Sequence, residues 1–554
     1  MNSSDPPPRE WWRDAVVYEV YPISFADGNG DGLGDLPGLA ERLEHIVDLG
    51  VDAIWLTPWF PSPMVDGGYD VSDYRGIHPS LGTLSHAEAV IAQCHASGLR
   101  VIIDMVANHT SDQHPWFRAA LNSGPGSAAR SRYLFADGRG RGGDQPPTNW
   151  ISAFGGSAWT RITESDGRPG QWYLHTFAPE QPDLNWRSEH VGRLFDDVLR
   201  FWFDKGIDGI RVDAAPGFIK EEGLADFAYP KQQAFLPATW VDNPHWDVDG
   251  VHDVMRRWRA VGDSYAEPRY FVVEAGVNGS HRLARYLRPD EMHAAFNFPF
   301  LHAPWDDSRL RDVIDDTLAA LAPVRASATW VLSSHDEVRR VTRFAQEIAN
   351  EGGGSGTANE LDVAAGTKRA RAAALLLLAL PGSAYLYQGE ELGLPQVSDL
   401  PDEYIRDPAW ARSGFTVPPR DGCRVPMPWS GDQPPFGFTR NSVGGWLPQP
   451  PEWRNLTVAA QQEDPHSMLH LHKRALRLRR ELAGLRSDTL TWRESDPNTL
   501  DFQRPGLRCV VNLSSHTVAL PSLPVLLTSQ PLVGGRLPPD AAAWLAADSS
   551  PAQS

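Results

Sequence analysis

The chain has 554 residues, enough for a large buried core, and 51 Lys and Arg against 70 Asp and Glu give it a net charge of −19. This acidic balance argues against nucleic acids and anionic membranes as partners, because both require basic surface patches. The longest apolar run, Ala372 to Leu380, is too short to cross a bilayer, and three cysteines supply no disulfide framework. Since MNSSDPPPREWW does not resemble a secretory leader, we expect a cytoplasmic protein.

Short runs of β-branched and aromatic residues alternate with amphipathic helical stretches, a pattern typical of parallel βαβ units. LAERLEHIVDLG from residue 39 and VGRLFDDVLRFWFDKG from residue 191 are examples of the helical stretches. Eight such strands predict an α/β fold, a (β/α)8 TIM barrel with its active site at the carboxyl ends of the strands. The candidate strands are AVVYEVYPISF near 15, DAIWLTP near 52, RVIIDMVAN near 100, DGIRVDAA near 208, RYFVVEA near 269, HAAFNF near 293, ATWVLSSH near 328 and SAYLYQGEE near 383.

Several stretches are too long for simple connections and predict further units. Residues 108–182, after the third strand, are rich in Gly, Pro, Trp and Arg and predict a small inserted domain between barrel parts 1–107 and 183–485. The second barrel part includes an irregular insertion after the eighth strand, about residues 392–460. Residues 486–554, with runs such as TLDFQ and RCVVNLS, predict a small antiparallel β domain with a disordered end.

Residues 27–35 read DGNGDGLGD, in which oxygen-bearing side chains alternate with glycines. Such oxygens suit a hard cation, and ligands supplied entirely by a flexible protein loop favour calcium over magnesium. The EF-hand pattern does not fit, because Gly38 stands where it requires a bidentate Glu, and a Gly-rich loop with solvated acids is the alternative. The loop follows the first strand, away from the acids described next, so we expect a structural Ca²⁺. The predicted ligands are Asp27, Asn29, Asp31, Leu33 and Asp35.

Three acidic residues end three of the predicted strands. Asp213 ends the fourth strand, Glu274 the fifth and Asp336 the seventh. A carboxylate at the end of an apolar strand is costly to desolvate unless it is paired or used. One such residue is usually structural, but three that converge on one barrel mouth indicate an active site.

Two carboxylates on either side of a glycosidic bond can cleave it through an oxocarbenium-like transition state. Arg211 lies two residues before Asp213 on the same strand face, so we expect it to lower the pKa of Asp213 and keep this nucleophile ionised. Glu274 has apolar sequence neighbours, which favour a raised pKa and the role of general acid. Asp336 would then hold ring hydroxyls and stabilise positive charge.

Four motifs occur in order along the chain: DMVANH (104–109), GIRVDAA (209–215), VVEAG with Glu274, and SSHDE (333–337). Their joint order resembles that of the α-amylase superfamily of retaining α-glucoside-active enzymes, and QPDLN (181–185) and DGNGDGLGD resemble motifs of its α-glucosidase and oligo-1,6-glucosidase branch. The resemblance extends from Trp11 to about residue 486 and is weak beyond it. It implies that Asp213 is the nucleophile, Glu274 the acid/base and Asp336 the transition-state stabiliser.

The resemblance also implies a set of substrate contacts. Asp66 and Tyr69 of DGGYD would hold and stack the terminal glucose, a role compatible with Tyr69 packing at the barrel rim. Arg420 would pair with Asp66 and close the end of the cleft, which makes an enzyme exo-acting. His109, taken alone, is more often a hydrogen-bonded core residue. The full set is Asp66, Tyr69, His109, Arg211, His335 and Arg420, with Phe154 and Phe177 in an aromatic wall.

The expected activity is release of the terminal non-reducing glucose from short α-glucosides such as maltose, malto-oligosaccharides or sucrose, through a glucosyl-enzyme that can also transfer to sugar acceptors. One alternative is a glucosyl-transferring isomerase of the trehalose or isomaltulose synthase type, which shares every catalytic residue. Another is a non-catalytic carbohydrate-binding homologue, which the presence of all three acids disfavours. Ala214, after the nucleophile, leaves the linkage preference open. We expect a monomer or homodimer.

Overall fold

The computed structural model describes residues 10–229, 243–351, 361–440 and 444–548. Every run predicted to be a barrel strand forms a strand. Within the described residues the strands are β1 (Val16–Val20), β2 (Ala53–Leu56), β3 (Arg100–Val106), β4 (Phe135–Ala136), β5 (Trp159–Thr163), β6 (Pro169–Leu174), β7 (Gly209–Asp213), β8 (Tyr270–Val273), β9 (Ala294–Ala295), β10 (Thr329–Val331), β11 (Ser383–Tyr387), β12 (Thr491–Trp492), β13 (Thr499–Arg504), β14 (Leu507–Asn512), β15 (Val525–Thr528) and β16 (Ala541–Ala546).

Eight parallel strands form one sheet in the order β10-β11-β1-β2-β3-β7-β8-β9. Strand β1 pairs with both β2 and β11, so the first and last barrel strands lie side by side. The sheet thereby curls into a barrel that is closed except at the seam between β9 and β10. Strands whose residues are buried on both faces, such as β2 and β7, account for the continuous apolar runs in the sequence. The predicted barrel fold is confirmed.

Helices surround the barrel, and α1 shows how local sequence determines where a helix begins and ends. Asp35 caps α1 by accepting a hydrogen bond from the Gly38 amide, and Gly50, at φ 91°, ends it in the left-handed region. Helix α10 is apolar on most sides because it packs against α9, α13 and β16. The helices are α1 (Leu36–Leu49), α2 (Leu84–Ala96), α3 (Pro115–Leu121), α4 (Glu189–Asp204), α5 (Val251–Asp263), α6 (Ser280–Arg285), α7 (Phe298–Leu301), α8 (Asp307–Leu321), α9 (Arg340–Glu351), α10 (Val363–Ala379), α11 (Pro408–Arg412), α12 (Val458–Glu463) and α13 (Met468–Glu481).

Two smaller sheets accompany the barrel. Strands β4, β6 and β5 form an antiparallel sheet between β3 and α4, inside the stretch predicted to be an inserted domain. The C-terminal strands form a five-stranded antiparallel sheet in the order β12-β13-β14-β16-β15, which confirms the predicted β unit. Its Asp540 accepts hydrogen bonds from Trp305 and Arg369 of the barrel region. Of the predicted disordered end, AADSSPAQS (546–554), Ala546 is the last residue of β16, and residues 549–554 lie outside the described residues.

The described ranges contain no helix with the length and apolar character needed to span a membrane. The three cysteines, Cys94, Cys423 and Cys509, are free and buried. They are therefore core side chains rather than cross-links.

Candidate active site

The barrel topology brings two of the predicted catalytic acids onto one arginine. Asp213 is the last residue of β7, and Glu274 follows the last residue of β8, the neighbouring strand. Arg211 donates from Nη1 to Asp213 Oδ1 at 2.6 Å and from Nη2 to Glu274 Oε2 at 2.6 Å. A single buried guanidinium thus holds both carboxylates at the mouth of the barrel.

A second chain of contacts connects the third acid to this pair. Arg211 also donates to Asp104 Oδ1 at 2.8 Å, and the Tyr69 hydroxyl donates to Asp104 Oδ2 at 2.9 Å. That hydroxyl lies 2.7 Å from His335 Nε2, and the Tyr69 and His335 rings are stacked at 5.4 Å. Asp336 follows His335 directly. The Asp213, Glu274 and Asp336 side chains are 10%, 28% and 34% exposed, so the last two face open space at the mouth.

The prediction that Arg211 keeps the pKa of Asp213 low is wrong in direction. Burial raises the pKa of Asp213 well above its usual value, and the charges of Glu274 and Asp104 add to this effect. Arg211 opposes the rise, but its single charge is divided among three carboxylates. A protein with this cluster holds a proton between its acids more readily than the isolated Arg-Asp pair would suggest.

Asp336 has the opposite electrostatic environment. Burial alone would raise its pKa, but the charges of His335, Arg420 and Arg424 together lower it. Arg424 Nη2 donates to Asp336 Oδ1 at 2.6 Å, and Arg420 Nη1 donates to the same oxygen at 3.1 Å. Asp336 is therefore an anion across the neutral pH range, as stabilisation of a developing positive charge requires.

An ion pair between distant parts of the chain lies next to Asp336. Arg420 Nη2 donates to Asp66 Oδ1 at 2.9 Å, and Gln181 Nε2 donates to the other Asp66 oxygen at 3.1 Å. The Arg420 guanidinium also lies over the Phe154 ring at 5.3 Å. The structure thus brings Asp66, Arg420 and Phe154 together beside Asp336, in the arrangement expected for a pocket that is closed at one end.

The residues predicted to form an aromatic wall lie next to this ion pair. Phe154 and Phe177 lie 5.4 Å apart, and Phe177 contacts the His109 ring at 5.3 Å. His109 Nε2 is 2.9 Å from the Tyr69 carbonyl, and its Nδ1 is 3.2 Å from Asn108 Nδ2. Burial lowers the pKa of His109, so the ring is neutral. Its contacts support Tyr69 and Phe177.

A family model for the α-amylase catalytic domain matches residues 19–488. The chain belongs to the α-amylase family. Relatives named α-glucosidase and oligo-1,6-glucosidase assign it to the glucosidase branch of that family, which confirms the predicted resemblance and the predicted class of enzyme.

The most informative relatives match nearly end to end. A probable α-glucosidase of Rhizobium meliloti (strain 1021) is 37% identical over 528 residues, 92% of this chain and 90% of the relative. An α-glucosidase of Apis mellifera is 34% identical over 530 residues, 92% and 87% of the two chains. Among solved structures, the α-glucosyl transfer enzyme XgtA has a TM-score of 0.83 and 34% identity, with 97% and 99% coverage.

Four residues of this α-amylase-family site were not selected from the sequence. Glu19 contacts His335 Nδ1 at 2.5 Å, and Asp104, Arg424 and Asp407 bind Arg211, Asp336 and Arg420. Glu19 and Asp104 carried a readable signal, because each is a carboxylate within an apolar strand. Arg424 and Asp407 lie in an irregular insertion, and no local pattern identified them.

Ala214, which left the linkage preference open, has an unusual backbone. Its φ of 43° lies in the left-handed region, which residues other than glycine rarely adopt. The Ala214 amide donates to Glu274 Oε2 at 3.2 Å. This turn after Asp213 therefore gives Glu274 a further fixed donor.

The DGNGDGLGD loop folds around its own acids. Asp27 accepts from the Gly30 and Gly32 amides at 2.5 and 2.8 Å, and Asn29 and Asp31 each accept the amide two residues ahead. Asp27, Asp31 and Asp35 form no ion pair with any described residue. Among the described residues, neither this loop nor any other part of the chain has a cluster of three or more His, Cys, Asp or Glu side chains arranged as metal ligands. The loop's donors, all oxygens, match a hard cation in type.

Proposed function

We propose that this α-amylase-family enzyme is a retaining, exo-acting α-glucosidase that removes glucose from the non-reducing end of short α-glucosides. The observation that carries the proposal is the single Arg211 guanidinium that contacts both Asp213 and Glu274. Two carboxylates on adjacent nitrogens of one side chain favour the close separation of retaining enzymes, ~5–5.5 Å, over the wider inverting arrangement of ~6.5–9.5 Å.

Each acid has a role that its surroundings support. Asp213, deprotonated when the substrate is in place, attacks the anomeric carbon while Glu274 protonates the leaving oxygen. The aglycone leaves, and Glu274 then removes a proton from water, which attacks the glucosyl-enzyme and releases glucose from Asp213. Asp336, held anionic by Arg420 and Arg424, stabilises the positive charge on the sugar ring in both steps.

The closed end of the pocket supports exo action. A chain that continued beyond the terminal glucose would have to pass through the Asp66–Arg420 contact. Because that pair is charge-assisted and directional, opening it costs more than a simple side-chain rotation. A free terminal glucose fits without breaking the pair, which favours short substrates such as maltose, malto-oligosaccharides and sucrose.

Azide rescue tests the assignment of the two acids. In Asp213→Ala, azide occupies the face left by the nucleophile, so p-nitrophenyl α-glucoside should give the β-glucosyl azide. In Glu274→Ala, azide replaces water at the glucosyl-enzyme, and the product should be the α-glucosyl azide. NMR of the products identifies the anomers. The same anomer from both variants, or near-normal activity of Asp213→Asn, would overturn the proposal.

Glucosyl transfer is a second candidate activity, supported by the similarity to XgtA, an α-glucosyl transfer enzyme. Hydrolysis and transfer share the glucosyl-enzyme and differ only in whether water or a sugar attacks it. Isomerisation of sucrose or maltose would be a special case in which the released half is the acceptor. Chromatography of the products from maltose and sucrose separates the candidates, since mostly free glucose means hydrolysis.

Calcium in the DGNGDGLGD loop is a further proposal. Asp27, Asn29, Asp31 and Asp35 would supply side-chain oxygens and Leu33 its carbonyl oxygen, and the ion would brace the loop before α1. The proposal is supported by three carboxylates in one short loop without a cationic partner. Calorimetric titration of chelator-treated enzyme with CaCl2 should show one site, absent in Asp31→Ala, and binding should raise the melting temperature. No difference between the two proteins would refute it.

The proposal also covers the cellular location of the enzyme, its partners and its oligomeric state. A cytoplasmic location is supported by the free, buried cysteines, and fractionation of the native host tests it. The partners are small α-glucosides, and a monomer or homodimer is expected; sedimentation velocity distinguishes the two states.

A further inference from the structure

Asp407 lies in the irregular insertion that follows the last barrel strand, at the start of helix α11. Its Oδ1 accepts the Ala409 amide at 3.0 Å and so caps the helix, and its own amide donates to Asp421 at 3.0 Å. The residue is almost completely buried. A carboxylate in that position must have a cationic partner or pay a large desolvation cost.

Arg420 is that partner, and the contact has three points. Arg420 Nε donates to Asp407 Oδ2 at 2.8 Å and Nη2 to Asp407 Oδ1 at 2.8 Å, while the Arg420 amide donates to Oδ2 at 2.9 Å. A two-point contact between a guanidinium and a carboxylate fixes the plane as well as the position of the guanidinium. Asp407 therefore determines where the remaining Arg420 donors point.

Those donors point at two residues of the proposed site. Nη2 reaches Asp66 at the closed end, and Nη1 reaches Oδ1 of Asp336, the charge stabiliser. Arg420 is thus shared by three carboxylates. Without Asp407, its full charge would fall on the other two, and its orientation would no longer be fixed.

Helix α11 is itself attached to the aromatic wall. Ala409 packs in one cluster with Phe154 and Ala178, and Arg412 donates to the Gly155 carbonyl at 2.7 Å. The helix that carries Asp407 at its start is therefore held against the pocket at its other end. Contacts at both ends of α11 thus connect Asp407 and Arg420 to the aromatic residues.

We propose that Asp407 is a positioning residue that fixes Arg420 across the end of the glucose pocket and thereby sets how tightly a terminal glucose is held. This inference rests on the proposed glucosidase function and names a determinant of its substrate affinity. Asp407 does not touch the sugar. It acts through Arg420, which keeps Asp66 in place for the terminal hydroxyls and leaves Asp336 Oδ2 available to the ring.

Two substitutions separate this role from helix capping. Asn and Ser are both good capping residues, so Asp407→Asn and Asp407→Ser should keep α11. Asn can accept only one of the Arg420 side-chain donors, and Ser is too short to reach them. Asp402→Asn, an exposed acid in the same insertion, is the matched control.

Steady-state kinetics with maltose give the main readout. Loss of charge-assisted hydrogen bonds is worth ~1.5–3 kcal/mol each, so KM should rise about tenfold in Asp407→Asn and further in Asp407→Ser. The value of kcat should fall by less than the rise in KM, and Asp402→Asn should match the wild type. Wild-type KM in both Asp407 variants would overturn the proposal, as would a loss confined to kcat.

Glucose binding by calorimetry distinguishes failure of this inference from failure of the proposed function. If the wild type cleaves no α-glucoside, the function is wrong, but the positioning role still predicts glucose binding about tenfold weaker in Asp407→Asn than in the wild type. Equal affinities, or no glucose binding by either protein, would overturn the positioning role. Melting temperatures close to that of Asp402→Asn show that the variants are folded.

Discussion

The buried ion pair between Lys220 and Asp183 joins the segment after β7 to the chain that leaves the inserted unit, and its removal should be strongly destabilising. Lys220 Nζ lies 2.7 Å from Asp183 Oδ2, and both side chains are almost inaccessible to solvent. Nζ also donates to Asn108 Oδ1 at 3.1 Å and to the Gly217 carbonyl. Lys220→Met removes this cation, and the methionine side chain largely fills the space of the lysine alkyl chain.

The expected cost follows from what the substitution leaves behind. Removing one partner of a buried pair costs ~3–5 kcal/mol, because the other charge stays uncompensated. Asp183 keeps three other donors, two from Thr176 and one from Asn108. These reduce the penalty, so we place Lys220→Met near the lower figure, at about 3 kcal/mol.

Denaturant unfolding with a matched control measures the effect. Lys205→Met makes the same substitution in the pair with Glu88, whose side chain is about half exposed, and should cost at most about 1 kcal/mol. The double variant Asp183→Asn/Lys220→Met should cost less than the sum of the two single changes, because it leaves no uncompensated charge of this pair in the interior. A Lys220→Met protein as stable as Lys205→Met, or additive single effects, would refute the reasoning.

Three further predictions concern chemistry, pH and reactivity. Glu274→Ala should lose ~10²–10⁴-fold in kcat/KM with maltose but much less with α-glucosyl fluoride, whose leaving group needs little protonation; because kcat/KM reports the bond-breaking first step alone, equal losses in it would exclude Glu274 as the general acid. Burial raises the pKa of Asp70 to about 6, above its unfolded value, so its contribution favours the fold below about pH 4 and is lost as the pH rises through 6. The free energy of unfolding of Asp70→Asn relative to wild type should therefore improve by ~2.5 kcal/mol between pH 4 and pH 7, and a pH-independent difference would contradict this. The three cysteines should not react with a thiol reagent at pH 8 until the protein is unfolded, because they are buried and burial raises the pKa of Cys94 and Cys423 to about 12; a fast native reaction would show that one is accessible.

The barrel and the position of three acids at its strand ends were predictable because both leave local signals. Each barrel strand is a short apolar run, and Asp213, Glu274 and Asp336 each follow or end such a run. Once parallel strands are inferred, their carboxyl ends must meet at one mouth. The same signal was available for Glu19 and Asp104, which lie within apolar strands and contact His335 and Arg211.

The sequence did not predict that one arginine, Arg211, is shared by several carboxylates. Arg211 and Asp213 are two residues apart, and that spacing suggested an isolated pair with a low pKa for the acid. The fold adds Asp104 and Glu274 to the same guanidinium and buries all of them, which reverses the direction of the pKa shift. A pKa depends on every charge and on the solvent around a group, and most of these come from other strands.

The sequence by itself therefore determined the barrel, the order of its strands and the three acids at its mouth, since periodicity and strand ends are properties of neighbouring residues. Only the tertiary structure decided which further side chains, among them Asp104, Asp407 and Arg424, surround those acids. The pair of Arg420 with Asp66, 354 positions apart, was expected only from the family resemblance, and Asp407 lies in an insertion without periodicity. Contacts of this kind follow from how the whole chain packs, and no short segment specifies them.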